Sequence, residues 1–353
     1  MTRERTLVVV NYHSAELTRR AIESARAASS VPLLAVVVDN SGDPAERARL
    51  DGAGADIVID APDNPGYGEG ANRGAAVAEG PILIVSNPDV VFGSGSIDLL
   101  AQGLSDDRVA MTGPRFSWDA EGRWLLPPPD FPTRAREIDR VLAGRSALWS
   151  RWWRRRRQGQ RIRFWRTEEA SSVEALSGAV LCIRRKAFDE AGGFDAGFRL
   201  YFEEIDLMAR LRDARWGLLH LPGARCHHLY NQSAGRTATA AERYAESEIR
   251  FLTKRYGSRF ARWAVSRRGA LEAPIRFRAV ERGTTLMLPR GEWLIEASPL
   301  RDFATTAGSF TEGGAIEIPS GILSGFHGTS LFVMATDLAT GEAGEAVEIK
   351  WGR

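Results

Sequence analysis

Four short runs of aliphatic and β-branched residues, Leu7–Val10, Leu33–Val38, Asp56–Ile59 and Ile82–Val85, recur through the first quarter of the chain. Helical patterns such as Ala15–Ala28 and the small-residue stretch Gly70–Glu79 separate them. Strand-length runs parted by helix-length stretches predict a mostly parallel sheet with right-handed crossovers. Ligands of such sheets bind beyond the carboxyl ends of the strands, so the residues that close each run carry the information. All are polar. The first run ends in Asn11-Tyr12-His13-Ser14 and the second in Asp39-Asn40-Ser41. The third leads to Asn64-Pro65-Gly66-Tyr67-Gly68, and the fourth ends in Asn87-Pro88-Asp89. Asp and Asn at such points also cap helices, which is the structural alternative for each taken singly. Four on one predicted edge point to a site.

At 353 residues the chain suits two domains. With 44% hydrophobic and 26% charged residues it is not a disordered chain. Cys182 and Cys226 are too few for a disulfide framework or a four-ligand zinc site, so buried reduced thiols are expected. The run after Arg5 is too short for a secretory core, and no stretch approaches the ~18–20 apolar residues of a membrane span. The expectation is a soluble, cytoplasmic protein. Only Lys186, Lys254 and Lys350 are lysines against 44 arginines, a bias typical of a GC-rich bacterial genome.

Later motifs extend the pattern: Ala71-Asn72-Arg73-Gly74, Ser177-Gly178-Ala179, Gly193-Phe194-Asp195, Phe202-Glu203-Glu204-Ile205-Asp206-Leu207, and His228 with Ser233. In this order, across roughly residues 6–235, the set resembles the family 2, inverting, GT-A-fold glycosyltransferases, and within them the bacterial rhamnosyltransferase-like branch. The resemblance implies an α/β nucleotide-diphospho-sugar transferase fold with a Rossmann-like, mostly parallel sheet. It implies a UDP- or dTDP-linked sugar donor and a glycan or lipid-linked acceptor in cell-surface polysaccharide or glycolipid synthesis.

Sugar transfer from such a donor requires the base to be held, the diphosphate neutralised and the acceptor hydroxyl deprotonated. The resemblance assigns Asp39 to the imide N–H of uracil or thymine, with Asn11 and Tyr12 beside it, and places Asn64, Asn72 and Arg73 on the nucleotide side. The leaving diphosphate calls for a divalent cation, Mn²⁺ or Mg²⁺, held by one or two carboxylates and the phosphates. The family's Asp-any-Asp motif stands here as Asn87-Pro88-Asp89, so Asp89 is the expected ligand and Asn87 a nucleotide contact. His228 is the expected second ligand, with His227 as the alternative, since strand alternation turns one of the pair into the site. Glu203, Glu204 and Asp206 fall just before the helical pattern Leu207–Leu211. Acids at a helix start are favoured by the macrodipole, but two adjacent carboxylates also raise one another's pKa into a useful range. Glu204 matches the family's catalytic base, Glu203 its first acid, and Asp206 a cap or support.

Two segments fall outside the resemblance. Residues 133–166 hold twelve arginines against Glu137 and Asp139, interleaved with Trp149, Trp152, Trp153, Phe164 and Trp165. The rest of the chain has 35 basic and 43 acidic residues, so the overall charge of +2 conceals an acidic body with one basic insertion. That insertion reads either as a solvated loop or as a surface for an anionic membrane, at the inner face of the cytoplasmic membrane. Nucleic acid is not expected without a recognised module. Past residue 267, β-favouring runs at Ile275–Val280, Thr285–Leu288, Trp293–Ala297, Ala315–Ile318, Ser330–Ala335 and Ala346–Trp351 suggest a small all-β sandwich. The expected domains are therefore 1–266, with an insertion at about 120–170, and 267–353, the latter serving a homo-oligomer or scaffold. The rival reading is a catalytically inactive GT-A domain that binds a nucleotide sugar or glycan. A sugar-nucleotide pyrophosphorylase would need a Gly-rich signature with Arg and Lys after the first strand, which Asn11–Ser14 lacks.

Overall fold

The computed structural model describes residues 4–229, 238–269, 276–319, 322 and 330–350. The chain opens with β1 (Arg5–Asn11), α1 (Ala15–Ala27), β2 (Leu33–Asp39), α2 (Pro44–Leu50), β3 (Ile57–Asp60), α3 (Tyr67–Ala76) and β4 (Ile82–Ser86). It continues with β5 (Val90–Phe92), α4 (Ser96–Gln102), β6 (Val109–Ser117), α5 (Arg134–Ala143), α6 (Ala147–Arg166), β7 (Ser171–Ser172), β8 (Val180–Arg184) and α7 (Arg185–Glu190). Then follow α8 (Glu203–Asp213), β9 (Gly217–His228), α9 (Ala238–Tyr256) and α10 (Ser258–Arg267). Strands β10 (Arg278–Glu281), β11 (Leu286–Leu288), β12 (Trp293–Ser298), β13 (Ala307–Thr311), β14 (Gly314–Ile316), β15 (Ser330–Asp337) and β16 (Ala343–Lys350) complete the chain.

These elements form two compact units. The first takes in the residues up to Arg115, Pro128–Pro132 and Thr167–Trp263; the second has Phe116–Pro127, Thr133–Arg166 and the residues from Ala264 onward.

In the first unit the strand order is β3-β2-β1-β4-β8-β6-β9-β5, with β7 beside β9. Strands β1 to β4 pair in parallel, as the alternation of runs and helices predicts. Their register sets Asn11 beside Asp39 and Asp39 beside Asp60, so the carboxyl ends share one edge. From β4 outward the pairing turns antiparallel, through β4–β8, β6–β8 and β5–β9. β2 is buried at every position and β1 at all but its first, which is why both read as unbroken apolar runs. α3 lies against β1 and β2 on a face of Gly68, Gly70, Ala71, Gly74 and Ala75, whose small size lets the helix approach closely. Cys182 and Cys226 are free and buried, as expected, and burial pushes both thiols up to about 12.

The second unit has a five-stranded sheet, β10-β16-β15-β12-β13, and a separate two-stranded ribbon, β11-β14. All of its pairs are antiparallel except β10–β16. Ile275 and Trp351, at the outer ends of two of the β-favouring runs, lie outside the described residues. The basic insertion folds as two helices, α5 and α6, that pack together in this unit. One face of α6 buries Ser150, Trp153, Arg161 and Trp165. The Arg161 guanidinium donates through Nε (3.0 Å) and Nη2 (2.7 Å) to Oε1 of Glu296, a fully buried carboxylate on β12. Gln158 donates to the other oxygen of Glu296 at 2.7 Å. The Trp165 indole N–H donates to the Leu126 carbonyl at 2.9 Å. Among the described residues no helix is long and apolar enough to cross a membrane.

A buried carboxylate that loses its cation is left uncompensated, at a cost of about 3–5 kcal/mol. Arg161→Met is therefore expected to destabilise the second unit by about that amount in urea unfolding, and Arg161→Met with Glu296→Leu to recover most of it.

Candidate active site

The site is built at the carboxyl edge of the parallel strands and on the first turn of α8. Asp39 ends β2 and is buried. Its Oδ1 accepts from the Asn11 amide at 3.0 Å and from the Ser41 backbone N–H at 3.1 Å, while Oδ2 carries no hydrogen bond among the described residues. Asn11 is fully occupied. Its amide also donates to Glu46 at 3.1 Å, and its carbonyl oxygen accepts from Ser14 (3.1 Å) and Thr18 (2.9 Å). This residue therefore orients Asp39. Tyr12, the next residue, is 47% exposed and meets His13 edge to face. The Asn40 amide donates to the Gly66 carbonyl at 3.1 Å, which ties this edge to the start of α3.

Glu203 and Glu204 open α8. Glu203 is buried and Glu204 half-buried, in space left by the glycines opposite: a Cβ on Gly68 would lie 3.1 Å from Glu203 Cβ, and one on Gly178 3.1 Å from Glu204 Cγ. The Oε2 atoms of both are buried and have no hydrogen-bond partner among the described residues. Loss of hydration raises the Glu203 carboxyl well above its usual range, and the neighbouring Glu204 charge adds to the shift. Glu204 is also raised by burial, against a partial offset from the Glu204 and Ile205 backbone N–H groups. Such a pair titrates as a unit, and one proton is retained on it beyond the ordinary carboxylate range.

The turn that delivers this pair is strained. Tyr201 and Phe202 both have φ of 68°, in the left-handed region that non-glycine residues avoid. α9 holds them there: Tyr244 packs on both rings at 5.5 and 5.3 Å, and Phe251 on Phe202 at 5.7 Å. Lys254 of α9 bridges Asp206 and Asp195, each at 2.7 Å, and Asp206 also takes Arg210 at 2.8 Å. Asp206 is thus a support of the helix start. Partial burial works against the charge on Asp195, but Lys254, the Gly197 N–H and Arg250 prevail and hold its carboxyl at about 2.

Asp89 follows β4 and is buried; His228 ends β9, and its Nε2 lies 3.3 Å from Asp89 Oδ1. The β5–β9 register, Val90 opposite His228, brings the two together. One carboxylate and one imidazole at that separation fit two ligands of one divalent ion with bonds of about 2 Å. Among the described residues no group of three or more His, Cys, Asp or Glu gathers to hold a metal, so further ligands would come from phosphate and water. Asn87 stands two residues before Asp89, half-buried, and its N–H donates to the Ala179 carbonyl at 2.9 Å. Ser233 lies outside the described residues.

Tyr67, which sequence reasoning left without a role, joins these parts. It is half-buried at the first position of α3, and its hydroxyl reaches the Gly178 carbonyl at 3.3 Å. Burial raises its phenol far above the ordinary value, and the charges of Glu203, Glu204 and Asp89 add to the rise. A tyrosine between two glycines at a helix start was the available signal. The other nucleotide-side residues stand apart. The Asn72 side chain is bonded both ways to the Phe194 backbone at 2.9 Å, and Arg73 forms a two-bond pair with Asp63 at 3.0 and 2.9 Å. Asn64 adopts a positive φ of 43° in the turn before α3.

Comparison with known proteins follows this geometry. The profile of "Glycosyltransferase like family 2" matches residues 3–257. The N-acetylglucosaminyl-diphospho-decaprenol L-rhamnosyltransferase of Mycobacterium tuberculosis, in two strains, is 30% identical over 274 residues, covering 72% of this chain and 86% of that protein. Among solved structures, the mannosyltransferase PcManGT from Pyrobaculum calidifontis, in complex with GDP-Man and Mn²⁺, is similar with a TM-score of 0.48 and 13% identity, over 76% of this chain and 73% of that one. With the family profile taking in well over half of its length, the chain belongs to glycosyltransferase family 2 and is a glycosyltransferase.

Proposed function

We propose that this glycosyltransferase moves a sugar from a UDP- or dTDP-linked donor to a lipid-linked or glycan acceptor, with inversion, in cell-envelope synthesis. The observation that carries the reading is the Glu203–Glu204 pair, whose Oε2 atoms are both buried without a hydrogen-bond partner among the described residues, in the same unit as the Asp89–His228 pair. The acceptor class is taken from the relatives, whose name describes L-rhamnosyl transfer involving N-acetylglucosaminyl-diphospho-decaprenol. Work at a membrane face and self-association through residues 267–353 belong to the same proposal.

In this reading Asp39 Oδ2 accepts the imide N–H of the base, Tyr12 lies against the ring, and Asn11 fixes the carboxylate. Asn87 contacts the nucleotide; Asn64 and Asn72 shape the wall behind it, and Arg73 flanks them. One proton stays on the pair; in the working form Glu203 holds it and Glu204, the residue that matches the family's base, is ionised. Glu204 Oε2 takes the proton of the acceptor hydroxyl as that oxygen bonds to the anomeric carbon. The bond from that carbon to the diphosphate oxygen breaks, and the diphosphate leaves with the electron pair. Displacement in one step inverts the anomeric centre. A divalent cation, Mn²⁺ or Mg²⁺, bound by Asp89 and His228 would neutralise charge on the diphosphate. Both carboxyls are raised above the ordinary glutamate value, in the direction that strengthens a general base.

Glu204→Gln is expected to lower kcat about 10²–10⁴-fold with little change in donor affinity, and Asp89→Ala to remove the dependence of turnover on added Mn²⁺. Wild-type turnover should fall as acidity rises, with a midpoint above the ordinary 4.5 of a glutamate, because the base works only when ionised. Retention of near-wild-type transfer by both variants would overturn the assignment.

Stability should show the opposite sign. The folded state binds the shared proton more tightly than the unfolded state, so the pair costs stability that grows as pH rises above 4.5. Glu203→Gln is therefore expected to raise the melting temperature at neutral pH by a few degrees, about 1–2 kcal/mol. That gain should fade below the ordinary carboxylate pKa. Thermal unfolding across pH checks it.

A further inference from the structure

The arginines of α6 fall into two classes. Those on the inner face are accounted for within the second unit. Arg161 binds Glu296, and Arg157 donates to the Ala304 carbonyl and lies 4.9 Å over the Trp153 ring. Near the helix end, Arg166 pairs with Glu292 and lies 4.8 Å over Phe310. Arg151, Arg155 and Arg156 of α6, and Arg145 in the turn before it, are exposed and have no acidic partner among the described residues. Arg156 instead lies 5.3 Å over the Trp152 ring. No acidic residue occurs between Asp139 and Glu168.

Apolar side chains share this outer face. Leu148 is 84% exposed, and Trp149 and Trp152, their rings 5.2 Å apart, are 37% and 44% exposed. Leu148, Arg151, Trp152, Arg155 and Arg156 line one open groove. A face kept merely soluble would mix charges of both signs and hide its leucines. Charge of a single sign, interleaved with tryptophan and a protruding leucine, instead matches the interface of an anionic bilayer. There guanidinium groups meet phosphates while indoles and aliphatic tips enter the headgroup boundary.

We propose that the outer face of α6, centred on Leu148, Arg151, Trp152, Arg155 and Arg156, is a docking surface for an anionic phospholipid bilayer. Charge complementarity selects this occupant. A second copy would set like-charged faces together, and an extended nucleic acid would gain nothing from the protruding Leu148. The contact is peripheral. It is independent of the proposed acceptor, so that vesicle binding and sugar transfer can fail separately.

The test is co-sedimentation of the full-length protein with vesicles of phosphatidylcholine alone or mixed equally with phosphatidylglycerol. Binding to the mixed vesicles at least tenfold tighter than to phosphatidylcholine, and weakening with salt, is expected. Arg151→Glu with Arg155→Glu should abolish it, and Leu148→Ser with Trp152→Ser should lower it at least fivefold, with unchanged melting temperature in each variant. Absence of wild-type binding to the mixed vesicles, or binding unaffected by these substitutions, would overturn the proposal. So would self-association in sedimentation velocity that the substitutions abolish, or equal loss of vesicle binding and of tighter binding to a single-stranded oligonucleotide.

Discussion

Two carboxylates held side by side at the start of α8, each with one oxygen out of water, are the feature on which the rest of the first unit depends. Neither Glu203 Oε2 nor Glu204 Oε2 has a partner among the described residues, and burying such groups is costly. The surrounding chain bears that cost in identifiable ways. Gly68 and Gly178 leave the space the two side chains occupy. Tyr201 and Phe202 hold left-handed backbone conformations, and α9 fixes them with Tyr244, Phe251 and the Lys254 bridge between Asp195 and Asp206. The helix Ala238–Tyr256, which reads as a helix in the sequence but carries none of the expected site residues, thus packs on the turn that leads into α8. Stability is given up locally where reactivity is required.

The parallel half of the sheet was legible because β1 and β2 are buried on both faces and so read as apolar runs, while β3 and β4 are short aliphatic runs that lead, like the first two, to Asn or Asp. The antiparallel half was less so. β9 alternates buried and half-exposed residues over twelve positions, and only its last two histidines stood out. β13, Ala-Gly-Ser-Phe-Thr, lacks the β-branched density that marked the other strands of the second unit. The helices α5 and α6 were hidden by their arginines. A guanidinium on either face of a helix has the same letter, and only the position of Glu296 separates the buried Arg161 from the solvated Arg155.

The same ambiguity runs through the site. The adjacency of Glu203 and Glu204 was written in the sequence itself; strand alternation said only that one of His227 and His228 turns inward, and the choice of His228 rested on the family resemblance. What Asn11 and Asn72 do was not, since a side-chain amide serves a ligand or the backbone equally well. In the fold both are taken up by internal bonds, Asn11 to Asp39, Glu46, Ser14 and Thr18, and Asn72 to Phe194. Tyr67 shows the reverse. Flanked by glycines, it resembled turn furniture, yet it lies where the fields of three carboxylates meet.

The central claim is that Glu203 and Glu204 share a proton beyond the ordinary carboxylate range. The most direct measurement is a ¹³C NMR titration of the side-chain carboxyls in protein labelled at glutamate, with Glu203→Gln and Glu204→Gln used to assign the two signals. One of the pair should remain protonated well above 4.5, and its midpoint should fall when the partner is neutralised. Two independent titrations near 4.5, each indifferent to the other substitution, would contradict it.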